Sequence, residues 1–67
     1  MTTARANLWV QGYTRGSADV AKLPGPMLAT LLPRMLRTEP DPTDGPAFDG
    51  GYRTALADAL QAIGGVR

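Results

Sequence analysis

The sequence contains no cysteine and no histidine. Without cysteine, no disulfide or thiolate metal site can staple a short fold. Without either residue, the commonest general base, the usual activated nucleophiles and most transition-metal ligand sets are missing. Lys22 is the only lysine, and the formal net charge is +1. That is far from the strongly basic balance that marks a nucleic-acid binder, and it also lacks the high net charge of a disordered chain. No run of ~18 apolar residues is present to span a membrane. The opening MTTARANLW has no apolar signal segment, so the expected location is the cytoplasm, or a virion if the chain is phage-encoded.

What is present fits one small domain, residues 1–67. Chains this short bury a small fraction of their surface and often complete a core with another copy or a partner. The candidate core is Leu8, Val10, Val20, Leu23, Met27, Leu28, Leu31, Leu32, Met35, Leu36, Phe48, Tyr52, Leu56, Leu60 and Ile63. Arginine outnumbers lysine six to one, and Ala, Gly, Pro and Arg are abundant. These residues have GC-rich codons, which points to a bacterial or phage origin.

Periodicity then divides the chain. Residues 1–6 read as a flexible N-terminus. Residues 7–14, NLWVQGYT, are rich in β-formers and predict a short strand, with Leu8 and Val10 on one face and Trp9, Gln11 and Tyr13 on the other. Gly12 reads as a bulge in it, TRGS as a turn, and Ser17 as a helix cap. Gly25-Pro26 is a helix start signal. Met27, Leu28, Leu31, Leu32, Met35 and Leu36 form one stripe that keeps its phase across Pro33, so a single kinked helix is expected over 26–37. Residues 38–50 read as an acidic Pro/Gly loop ending on Asp49 as N-cap. A final helix over 51–63 shows Tyr52, Ala55, Leu56, Ala59, Leu60 and Ile63 on one face. Small Ala55 and Ala59 invite close approach by another helix. No internal repeat is apparent. The expected fold is mainly α: an N-terminal strand, a kinked helix, and a C-terminal amphipathic helix packed with it as a pair.

No catalytic residue, metal ligand or cofactor site emerges, and the chain reads as a non-enzyme. The acids Glu39, Asp41, Asp44 and Asp49 invite a calcium reading, but DPTDG does not have the spacing of a calcium loop and reads as a solvated acidic loop. Gly50-Gly51 precedes a helix, where phosphate can bind, but Asp49 beside it would repel an anion.

The sequence instead favours a non-catalytic protein–protein interaction module: a small subunit, adaptor or inhibitor in a bacterial or phage assembly. The expected partner-binding residues are Trp9, Gln11, Tyr13 and Arg15 on the strand side, with Met27, Leu31, Arg34 and Met35 on the helix. Trp, Tyr and Arg dominate interface hot spots, and an unpaired strand can extend a partner's sheet. A protein partner, a homo-oligomer or both are expected, with no nucleic acid, membrane span or small-molecule substrate. The alternative is a dimeric DNA-binding regulator, because a strand followed by two helices resembles the outline of the ribbon-helix-helix family. That resemblance covers the order of elements only, and the acidic linker here is longer than that family's turn.

Overall fold

A computed structural model describes residues 2–38, 43 and 45–64. Three α-helices make up the fold: α1 (Thr2–Lys22), α2 (Leu28–Arg37, entered through a 3-10 turn at Gly25–Met27) and α3 (Gly45–Gly64). The mainly helical expectation holds, and α2 falls where the leucine/methionine stripe places it, with Pro33 inside it. Three corrections concern the N-terminal half. Residues 7–14 are helix and not strand, and there is no strand among the described residues. The helix begins at Thr2, where a flexible 1–6 was expected, and Ser17 lies inside α1 and caps nothing. A fourth concerns the loop expected over 38–50. Helix α3 already begins at Gly45, whose φ of 80° only glycine adopts readily, so Asp49 is a helical residue and not the cap. Glu39, Asp41 and Asp44 lie outside the described residues.

The reason for α1 is visible in its contact with α3, the most extensive helix pairing among the described residues. Gly12 and Gly16 are four residues apart, hence on one helical face, and both are buried. A Cβ on Gly12 would collide with the Phe48 carbonyl and come within 3.0 Å of the Tyr52 nitrogen. One on Gly16 would lie 2.8 Å from the Ala55 Cβ. Reciprocally, a Cβ on Gly51 would collide with the Trp9 carbonyl and lie 2.8 Å from the Tyr13 nitrogen. Backbone therefore meets backbone, as in pairs built on small residues at i, i+4 spacing. The contacts advance in the same direction along both helices, so α1 and α3 run parallel.

The pairing is also a repeat. At a constant offset of 39 residues, Gly12, Tyr13, Ala18 and Asp19 correspond to Gly51, Tyr52, Ala57 and Asp58. Trp9 corresponds to Phe48 and Gly16 to Ala55, keeping aromatic and small character. The two glycines meet equivalent atoms of the opposite helix, which is the signature of a pseudo-twofold axis between parallel helices. Two hydrogen bonds obey the same symmetry. Tyr13 donates to Asp58 at 2.8 Å, and Tyr52 donates to Asp19 at 2.6 Å. The expectation of no repeat is thus overturned: α1 and α3 are two versions of one unit.

Helix α2 packs on α3. A wheel puts Asp49, Arg53, Leu56 and Leu60 on one side of α3, turned away from the glycine face. Arg53 extends to the end of α2, where its guanidinium donates to the Leu36 carbonyl at 2.6 Å and to the Thr38 carbonyl. Asp49 orients it through a 2.8 Å ion pair. A cation at the orphan carbonyls of a helix C-terminus satisfies them and complements the dipole. Among the described residues the enclosed apolar side chains are few: Leu32 at 0%, Leu56 at 1% and Ala55 at 3% exposure.

Candidate functional site

Leu8, Trp9 and Val10 follow one another on α1 and point in three directions about 100° apart around the helix. All three are open to solvent, at 43%, 40% and 55% exposure. They form a partly exposed apolar collar near the start of α1, in which the Trp9 ring also lies beside Gly50 of α3. Trp9 is held in place. Its ring stacks on Tyr13 with centroids 5.4 Å apart and planes at 23°, and Tyr13 is tied in turn to Asp58. The hydrogen bond to Asp58 and the charge of that carboxylate, aided slightly by desolvation, raise the Tyr13 phenol above its usual 10.0. A prepositioned indole loses little freedom on binding, which favours its use as an anchor.

The other expected binding residues are distributed as follows. Gln11 and Arg15 are exposed on α1, and Arg15 pairs with Asp19 at 3.4 Å. Met27 is 46% exposed, Arg34 is exposed, and Leu31 and Met35 are half-buried, all on or just before α2. The structure thus gathers Trp9 and Tyr13 into one cluster. It leaves the α2 set on a separate element, whose main packing is with α3. Leu8 and Val10 were expected in the core and stand outside it.

Behind the collar, a cleft of about 280 Å³ opens between α1 and α3, lined by Tyr13, Ser17, Val20, Ala55, Asp58 and Ala59. None of these side chains is a nucleophile paired with a base, and the Asp58 carboxylate already accepts the Tyr13 hydrogen bond. The signal for this region in the sequence was the repeat of Gly-Tyr-x-x-small-x-Ala-Asp, which pairs each tyrosine with the aspartate of the other copy. Among the described residues, no helix is long and apolar enough to cross a membrane. Neither a family model, a curated protein nor a solved structure matches the chain, so its chemistry is read from the surface itself.

Proposed function

We propose that this chain is a non-catalytic protein–protein interaction module, a small subunit, adaptor or inhibitor whose contact surface centres on Trp9. The observation that carries the reading is the exposed run Leu8-Trp9-Val10 with Trp9 stacked on Tyr13. Tryptophan and tyrosine contribute most at interface centres, and the Trp9–Tyr13 stack presents both side by side. The complete lack of histidine and cysteine supports a binding role over a catalytic one. The ribbon-helix-helix alternative required a strand at 7–14, and those residues are helical.

The test is capture from the cells that encode the chain, with Trp9→Ala as the comparison. A partner retained by the natural sequence and lost by the variant, with helicity unchanged, supports the reading. A partner held equally by both sinks the role of Trp9, and repeated turnover of any substrate would sink the non-catalytic assignment.

A further inference from the structure

The two tyrosine–aspartate bonds are symmetry mates, yet their charges are met differently. On one flank Asp19 accepts from Tyr52 and also pairs with Arg15, one turn earlier on α1. On the other flank Asp58 accepts from Tyr13 through Oδ2. The offset of 39 residues puts Thr54 in the place of Arg15 and Gln61 in the place of Lys22. Thr54 donates its hydroxyl back to the Gly50 carbonyl of its own helix, at 2.7 Å. Among the described residues, no cation pairs with Asp58. One carboxylate has its counter-charge and its mate does not.

The unmatched carboxylate stands on the wall of the cleft of about 280 Å³, where Val20, Ala55 and Ala59 supply apolar surface and Tyr13 an aromatic ring. The cleft is open because Ser17 stands where Leu56, at 1% exposure, fills the other flank. Its volume is just below the ~300 Å³ at which small-molecule sites begin, which suits a single long side chain. Arginine meets each requirement of the walls. Its stem covers apolar surface, its plane is attracted to an aromatic ring, and its fork matches a carboxylate. Gly50, Thr54 and Asp58 follow at four-residue spacing along one side of α3, and the Trp9 ring lies beside Gly50. Trp9 and Asp58 therefore mark the two ends of a flank ~12 Å long, which one segment of a partner can span.

We propose that this cleft is the socket for an arginine side chain of a protein partner, with Asp58 as its counter-charge. That the arginine arrives on a protein rests on the Trp9 reading, and the socket itself can be probed without any partner. The probe is N-acetyl-arginine N-methylamide, titrated into the whole chain and followed by residue-resolved chemical shifts, with the uncharged citrulline analogue as its comparison. Saturating shifts are expected at Tyr13, Ser17, Asp58 and Ala59, and none at Asp19, whose charge Arg15 already meets. The citrulline analogue should bind about fivefold more weakly, the upper range for a solvated ion pair. Thr54→Arg, which gives Asp58 the cation that Asp19 has, should abolish the response with helicity unchanged. Asp58→Asn, which can still accept from Tyr13, should do the same. Equal binding of the two probes, no binding of either, or binding that survives both substitutions overturns the proposal. With the captured partner, Asp58→Asn should weaken retention by about tenfold or more. A partner lost with Trp9→Ala but held equally by Asp58→Asn overturns the socket and leaves the Trp9 reading standing. A partner lost with Asp58→Asn but held by Trp9→Ala supports the socket and overturns that reading.

Discussion

Gly12 and Gly51 occupy equivalent places in the crossing of α1 and α3, each pressed against the backbone of the other's helix. Gly12 lies against Phe48 and Tyr52, and Gly51 lies against Trp9 and Tyr13. Replacing either with alanine should raise intrinsic helix propensity by up to ~1 kcal/mol. The collision with backbone outweighs this, since overpacking costs about 1–3 kcal/mol and backbone cannot move aside as a side chain does. Gly12→Ala and Gly51→Ala should therefore both destabilise, by similar amounts, in urea unfolding. Gly64→Ala, with nothing within 4 Å of the added carbon, should be neutral or stabilising.

The two tyrosine–aspartate bonds should differ in strength although they are symmetry mates. The Tyr52–Asp19 bond is part-buried and the Tyr13–Asp58 bond is exposed. Tyr52→Phe should cost about 1 kcal/mol, and Tyr13→Phe less, measured by the same unfolding curves.

Alkaline pH offers an independent check on Tyr13. Its phenol ionises above the usual 10.0 in the folded chain because Asp58 accepts its hydrogen bond and repels the phenolate. The folded state thus holds this proton more tightly than the unfolded state does. The stabilisation is complete below pH 10 and is lost as pH rises through the folded value. Tyr13→Phe should flatten that part of the stability curve, and an ultraviolet titration should lose one tyrosine that ionises above pH 10.

Arg53 should be the most damaging charged residue to replace. Arg53→Met removes the donors to Leu36 and Thr38 and the pair with Asp49 together. Hydrogen bonds involving a charged group contribute about 1.5–3 kcal/mol, and solvent access to the guanidinium keeps the expected loss near the lower figure. Arg53→Lys should not restore it, because a point charge cannot hold two carbonyls in the same fork. Loss of helical signal from α2 with α1 and α3 retained, read by residue-resolved chemical shifts, is the expected signature.

Much of this was legible. The stripe from Met27 to Leu36 kept its phase across Pro33, and α2 is there with proline inside it. The small residues Ala55 and Ala59 announced a close helix approach, and Ala55 meets Gly16. What misled was residues 7–14, where Trp9, Val10, Tyr13 and Thr14 suit a strand by local preference. Tertiary packing overrode that preference, because Gly12 and Gly16 are useful only when they share a helical face. The start of α3 was masked by Gly45, Pro46 and the Gly50-Gly51 pair, residues that locally signal a loop. The repeat itself was hidden because its identities are spread over eight positions and the two copies differ in charge on their outer sides.

Pro33 lies within α2 and is half-buried. Pro33→Ala should restore a backbone donor toward Ala29 and raise the thermal midpoint, within the ~3 kcal/mol that separates the two residues in a helix interior. A variant that is more stable yet fails to retain the partner would assign the proline to the binding surface.

The central claim is that α1 and α3 form a parallel, glycine-mediated pair with matching contacts on both sides. Nuclear Overhauser spectroscopy on the whole chain tests this most directly. The account predicts helical shifts through residues 7–14, contacts from the Gly12 α-protons to Phe48 and Tyr52, and their mates from Gly51 to Trp9 and Tyr13. Extended shifts over 7–14, or Gly12 contacts without the Gly51 mates, would contradict it.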